Sequence, residues 1–226
     1  MSIAPFELII LKTHWSHQDM GNHAPKAFDA LSAMDAGESV FTVTTDEIEA
    51  YDWDRQLITL TPGATDALLG NAEAQRAPEE VSALIDLKRR AGWGNRVESS
   101  VANRCFVVRT RGEFVYGGIF LEPLSQMGIA FPVARAASAN GRARIALLPV
   151  HIPFMENDPF DESGASRELP IGPEAKTDIQ ALDRHDQFFT KWAHGITASD
   201  TATQFRRLIR DPRIWSAIAA AGKLKT

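Results

Sequence analysis

One short stretch of the sequence concentrates residues that bind metals or transfer protons. It holds three of the six histidines of the chain and one aspartate within ten residues. The candidate ligands are His14, His17, Asp19 and His23. Imidazole and carboxylate groups on one loop can converge on Zn, Fe or Cu and leave a position open for water or a substrate. The stretch therefore predicts a metal site, although its spacing matches no metalloprotease or zinc-finger motif.

The same loop also has a purely structural interpretation. Its imidazoles could be hydrogen-bonded to neighbours or solvated while Trp15 or Met20 packs beneath them. Both interpretations place the loop directly after a strand predicted over residues 6–12. That strand is apolar almost throughout, which is typical of the interior of a sheet.

Two other residues with reactive side chains are better explained by structure. His185 precedes Asp186 on a predicted helix, where adjacent residues point in different directions, so a solvated helix face accounts for the pair. Cys105 is the only cysteine, and no neighbouring base is visible that would activate its thiol. We expect Cys105 to be a small buried core residue. The sequence contains no P-loop, G-x-S-x-G or H-E-x-x-H motif.

The overall charge restricts the partners. The 226 residues are 44% hydrophobic and 23% charged, as in an ordinary globular protein, and the formal net charge is -5. Residues 199–226 hold six basic and two acidic residues, a net charge of +4, so residues 1–198 carry -9. A basic tail without interleaved exposed aromatic residues is weak evidence for nucleic acid, and we expect no nucleic-acid partner.

The chain shows no pattern for membrane insertion. Its first residues lack a basic segment, and its first apolar run is short and interrupted by Glu7. No stretch approaches the 18 or so consecutive apolar residues that a membrane-spanning helix needs. We therefore expect no membrane association and a cytoplasmic location.

The strongest structural signal is a β-hairpin over residues 105–121. Two runs rich in Val, Phe, Tyr and Ile flank the dipeptide Arg111-Gly112, where glycine supplies the positive φ of a tight turn. The pair Gly117-Gly118 is interpreted as a feature of the second strand and not as a phosphate-binding loop.

The other strand and helix signals complete an α+β pattern. Further strands are predicted over residues 39–45, 56–61, 129–134 and 143–152, with a turn at residues 51–54. Prolines at positions 132, 149 and 153 predict that the last two strands lie at sheet edges or contain bulges, because proline has no N–H to donate to a neighbouring strand. Helices are predicted over residues 26–34, 62–69 and 78–91, and residues 92–104 are expected to be a polar connector.

The sequence pattern changes from β-rich to helical in the last third of the chain. Residues 156–176 are rich in Pro, Gly, Ser and acidic residues without periodicity, which predicts a linker. Residues 177–226 then show helical periodicity with two capping boxes and an Asp211-Pro212 helix start. In the final helix Ile214, Trp215 and Ile218 are predicted to face inward.

These elements predict an α+β fold: an antiparallel or mixed β-sheet body with a helical C-terminal element. The predicted organisation is a β-rich main domain over residues 1–155, a linker over 156–176, and a C-terminal element over 177–226. We expect this element to dock on the main domain, the alternative being that it packs on another chain. We expect a binding or accessory protein without catalytic turnover, whose partner is a protein or a small molecule. The alternative is a metal-dependent enzyme with its site in residues 14–23.

Overall fold

An eight-stranded mixed β-sheet forms the body of the protein, and helices pack on both faces. This confirms the α+β fold predicted from the sequence. The computed structural model describes residues 3–15, 19, 27–35, 37–75, 96–121, 129, 131–151, 160 and 200–225. The strands are β1 (Glu7–His14), β2 (Ser39–Thr44), β3 (Ile48–Asp52), β4 (Leu57–Leu60), β5 (Arg104–Thr110), β6 (Glu113–Phe120), β7 (Val133–Ala139) and β8 (Arg142–Leu148). The described helices are α1 (Ala27–Ser32), α2 (Pro62–Ala74), α3 (Arg96–Val101), α4 (Asp200–Ile209) and α5 (Pro212–Ala220).

The strands lie in the order β2-β1-β5-β6-β7-β8-β4-β3. Every neighbouring pair is antiparallel except β6 and β7, which run parallel. Tight turns can join antiparallel neighbours, whereas a parallel pair needs a longer connection that crosses over. Strands β5 and β6 are the third and fourth of the eight strands in this order and are buried on both faces. This double burial explains why residues 105–121 are apolar almost continuously and gave the clearest strand signal.

Two hairpins use the same turn chemistry. Between β5 and β6, Arg111 and Gly112 have φ values of 51° and 80°, the left-handed pair of a type I′ turn, so the predicted turn is confirmed. Between β7 and β8, Asn140 and Gly141 have φ values of 53° and 73°. This second turn was missed, although Asn-Gly is among the strongest hairpin signals in any sequence.

Four local predictions were wrong. Residues 51–54 were expected to be a turn, but Tyr51 and Asp52 belong to β3 and the turn follows them. The polar connector expected over residues 92–104 contains helix α3 and the start of β5. The strand expected over residues 129–134 begins at Val133 instead. Strands β7 and β8 are interior and not at the edges, because Pro132 and Pro149 fall just outside their ends. The helix predicted over residues 78–91 lies outside the described residues.

The sheet buries its two faces unequally. Along β1, Leu8 and Ile10 face the larger cluster, while Ile9 and Leu11 face the smaller one. The larger cluster receives side chains from all eight strands and from α2, α3, α4 and α5. The smaller cluster lies over β1, β5, β6 and β7 and receives Leu31 of α1. We call these the large face and the small face of the sheet.

Close packing at the centre of the sheet requires glycine in β6. A Cβ atom on Gly118 would overlap the carbonyl oxygen of Pro132 and lie 2.6 Å from Cζ of Phe106. The parallel neighbour β7 pairs with β6 at the next residue, Ile119, which is opposite Val133. The Gly117-Gly118 pair is therefore a strand feature, as predicted, and lets two strands and an aromatic ring meet closely.

The described C-terminal helices pack against the sheet. Phe205 of α4 lies in the small-face cluster, and Ile209, Ile214 and Ile218 lie in the large-face cluster. Trp215 is 46% exposed, so the prediction that it faces inward was wrong. The predicted linker at residues 156–176 lies outside the described residues apart from Phe160, and residues 177–199 are also outside them.

Both edges of the sheet are blocked by other parts of the chain. At the β2 edge, Asn71 Nδ2 donates to Val40 O at 3.2 Å, and Thr44 N donates to Glu47 Oε2 at 2.8 Å. At the β3 edge, Leu224 forms a parallel bridge with Tyr51. These contacts occupy backbone groups that would otherwise be open to strands of other molecules.

Candidate binding site

His14 is the final residue of β1 and not part of a free loop. It pairs across the sheet with Arg104, the first residue of β5, and directly opposite residues of an antiparallel pair share one face. Burial and the neighbouring Arg104 guanidinium lower the pKa of His14 to about 4, while a hydrogen bond to the backbone of Lys12 acts in the other direction. His14 is consequently a neutral imidazole at pH 7.

The structure places Asp19 with a different neighbour. The pKa of the Cys105 thiol is raised mainly by burial and further by the charge of Asp19. Cys105 and Trp15 belong to the small-face cluster, and His14 is the cross-strand partner of Arg104. Cys105 is fully buried, as predicted, and its raised pKa leaves it a neutral thiol.

The predicted metal site can be followed only in part. His17 and His23 lie outside the described residues. Within the part of the chain that the structure describes, no three His, Cys, Asp or Glu side chains form a group that could hold a metal ion. Trp15 packs edge-on against Phe131, with ring centroids 5.9 Å apart, as the structural interpretation of the loop expects.

Arg104 is the most completely buried charged residue of the described chain, at 2% exposure. Its guanidinium donates to three backbone carbonyls: Ser100 in α3 at 3.2 Å, Lys12 in β1 at 3.5 Å, and Gln75 at the end of α2. Burial lowers the pKa of Arg104 to about 10, which still leaves it charged at pH 7. The carboxyl end of a helix carries a partial negative charge, so a cation there is stabilised. Arg104 thus joins two helix ends to the sheet.

The Arg104 junction is suited to structure and not to ligand binding. Each of the three nitrogen atoms of the guanidinium has a carbonyl acceptor, and the residue is 2% exposed, so a substrate cannot reach it. Sequence reasoning missed this role because nothing in the local sequence distinguishes Arg104 from a surface arginine.

Within the part of the chain that the structure describes, a candidate for binding is a cleft on the large face, between the tip of the β5–β6 hairpin and α5. Its volume is about 450 Å³. The N-terminal segment contributes Pro5, the hairpin contributes Thr110, Arg111 and Glu113, and α5 contributes Pro212, Arg213, Ser216, Ala217 and Ala220. The small side chains of α5 leave the space that larger residues would fill.

Thr110 supplies a buried polar group at the wall of this cleft. It is 3% exposed, and its hydroxyl has no hydrogen-bond partner among the described residues. Thr110 follows Phe106 and Val108 at every second position of β5, so its side chain lies on the large face, towards α5. A buried hydroxyl without a partner loses its hydrogen bonds to water, which lowers the stability of this end of the hairpin.

Charged side chains lie around the mouth of the cleft. Arg213 makes a double contact with Asp211, with Nε to Oδ1 at 3.0 Å and Nη2 to Oδ2 at 2.9 Å. The third guanidinium nitrogen, Nη1, reaches across to Glu113 Oε2 at 3.1 Å. Hydrogen bonds with Asp211 raise the pKa of Arg213, and the same contacts lower the pKa of Asp211. Arg111 is exposed and makes no ion pair with any residue that the structure describes.

The sequence predicted the elements on both sides of the cleft but not the cleft itself. The turn at Arg111-Gly112 and the start of α5 at Asp211-Pro212 were both predicted. Their juxtaposition was not, because Glu113 and Arg213 are 100 residues apart in sequence. No local pattern reports a contact over that distance.

Comparisons with known proteins place no further constraint on the site. A scan against protein-family models, a search of curated proteins and a search of solved structures each found no match. None of the helices in the described ranges has both the length and the apolar character needed to cross a membrane. The fold and the site thus define an α+β protein with a mixed sheet and a cleft between its central hairpin and its last helix.

Proposed function

We propose that this protein is a binding or accessory protein without catalytic turnover, and that it takes its ligand in the cleft between the hairpin tip and α5. The observation that carries the proposal is a cleft of about 450 Å³ with Arg111 among its lining residues, an exposed arginine that makes no ion pair within the described residues.

The lining of the cleft favours recognition over chemistry. The described residues that line it offer hydroxyl, carboxylate and guanidinium groups but neither an imidazole nor a thiol. The carboxylate of Glu113 is in an ion pair with Arg213, with Arg213 Nη1 3.1 Å from Glu113 Oε2. Apolar walls with a few polar groups are typical of small-molecule and peptide sites.

The proposal is tested by mapping chemical shifts in the ¹⁵N-labelled protein with three small probes of equal carbon number: propionate, propionamide and propylammonium. At least one probe should shift the amides of residues 110–113 and 212–220. Ala220→Trp, which fills the cleft from α5, should abolish those shifts. Ala67→Trp is the matched control, because Ala67 is an exposed alanine on α2 that does not line the cleft.

Two results would contradict the proposal. One is the absence of cleft shifts with all three probes. The other is the same shifts in the wild-type protein and in Ala220→Trp. Equal melting temperatures of the two tryptophan variants would show that the lost binding is not lost folding.

The second candidate function is a metal-dependent enzyme with a site formed by His14, His17, Asp19 and His23. The observation that favours it is the clustering of three histidines and one aspartate within ten residues, because imidazole and carboxylate groups are common ligands of Zn, Fe and Cu. Elemental analysis of protein purified without a histidine tag tests it. Stoichiometric metal that is lost on replacing His14 and His17 together would favour the enzyme, and metal-free protein would exclude this site.

A further inference from the structure

We infer that the cleft binds a carboxylate group, held by Arg111 and Arg213, and that Glu113 occupies part of this site when no ligand is present. The inference rests on the proposed binding function and names the chemical class of its ligand. It begins from the charges around the mouth of the cleft, where two guanidinium groups have very different partners.

Arg213 is oriented for a carboxylate on both of its sides. Asp211, its own helix-capping residue, holds one edge of the guanidinium in a two-point contact. That contact fixes the side chain with Nη1 directed across the cleft to Glu113 at 3.1 Å. A guanidinium held in this way is preorganised to accept a carboxylate at its remaining edge.

The carboxylate of Glu113 is easy to replace. Its side chain is 76% exposed, and that of Arg213 is 49% exposed. Ion pairs between exposed side chains contribute little to stability, so a ligand can displace Glu113 at little cost. Glu113 therefore stands where the carboxylate of a ligand would stand.

Arg111 supplies a second cation. It is exposed and makes no ion pair within the described residues, which leaves its guanidinium available to a second carboxylate oxygen. The Thr110 hydroxyl lies behind it, buried in the cleft wall. Two guanidinium groups that line one cleft are a chemically matched set for one carboxylate.

The opposite assignment is a ligand cation bound by Glu113. A cation would be attracted by the net negative charge of the group formed by Asp211, Arg213 and Glu113. Removal of the Glu113 charge would then weaken ligand binding instead of tightening it. The two assignments can therefore be separated by one substitution.

The test is titration of propionate, propionamide and propylammonium into the wild-type protein and two variants, with affinities from the shifts of residues 110–113. We expect propionate to bind most tightly. Arg111→Gln should weaken its binding about tenfold, the size expected for loss of one charge-assisted hydrogen bond. Glu113→Gln should tighten it severalfold because the competing carboxylate is gone. Arg207→Gln and Glu38→Gln are matched controls, since both residues are exposed and neither lines the cleft.

Each outcome decides between the hypotheses. Weaker propionate binding in Glu113→Gln, or tighter binding of propylammonium or propionamide to the wild-type protein, would overturn the carboxylate assignment and leave the cleft as a binding site. No binding of any probe at the cleft would overturn the proposed function as well. A capped Ala-Asp-Ala peptide, with Ala-Asn-Ala as its neutral control, then separates the sources. Tighter binding of the acidic peptide than of propionate assigns the carboxylate to a polypeptide, and the reverse assigns it to a small acid.

Discussion

Arg104 and Arg111 lie at the two ends of the same strand, and their guanidinium groups have opposite surroundings. Arg104 begins β5 and is 2% exposed, with three backbone carbonyls around its guanidinium. Arg111 follows the end of β5, is exposed, and makes no ion pair among the described residues. A buried guanidinium must have all its donors satisfied, so it stabilises structure, whereas an exposed one keeps its donors for other molecules.

The accessibility of the N–H donors, and not the residue type, distinguishes a structural arginine from a candidate binding residue. The same holds for the hydroxyls and carboxylates nearby. Thr110 and Glu113 form a cross-strand pair at the hairpin tip. Their polar groups lack a partner or have one that is readily exchanged.

The largest expected effect is from removing the buried charge. Arg104→Ala should lower the free energy of unfolding by about 3 kcal/mol or more, because three carbonyls lose their donor and the buried side chain leaves a cavity. Arg111→Ala should change it by less than about 0.5 kcal/mol, as for most surface positions. Urea unfolding of both variants measures the difference. Equal stabilities would show that Arg104 is not the structural member of the pair.

The next effect concerns the turn that presents Arg111. Gly112 has a φ of 80°, so Gly112→Val should cost about 1–3 kcal/mol of backbone strain. Gly112→Asn should cost clearly less, since asparagine tolerates the left-handed region. Thermal melting of the two variants checks the prediction. A melting temperature unchanged in Gly112→Val would mean that the turn does not constrain the hairpin.

The smaller effect is a pH dependence at the Arg104 end of the strand. The pKa of His14 is about 4 in the folded protein and 6.5 in its unperturbed state, so the unfolded chain binds the proton more readily. The stability that His14 contributes is complete above pH 6.5 and is lost as the pH falls from 6.5 through 4. We expect a loss of about 1–2 kcal/mol, reduced from the full shift because part of the side chain meets solvent.

His14→Gln provides the control for this pH dependence. It removes the titrating group but keeps a polar side chain of similar reach. Denaturant unfolding of both proteins between pH 7 and pH 4 measures the difference. The His14→Gln protein should lose less stability over this range, and parallel curves would assign the acid sensitivity to other groups.

The sequence predicted much of the sheet and little of the candidate site. Strand β2 and the hairpin at Arg111-Gly112 were predicted correctly because alternation and turn residues act within a few positions. Strand β3 was missed because its residues 51–52 belong to a polar string that is also typical of a turn. The exposure of Trp215 was missed because apolar periodicity alone cannot exclude an aromatic residue on the outer side of a helix.

Features that depend on near neighbours in the chain can be predicted from the sequence alone. They are the α+β class, the hairpin turn, the capped start of α5 at Asp211, and the burial of Cys105. Contacts between distant segments are visible only in the folded protein. The strand order, the three carbonyls around Arg104, and the meeting of Glu113 with Arg213 all join residues far apart in the chain. The physical reason is that backbone preferences act locally, whereas burial and charge pairing depend on which surfaces the folded chain brings together.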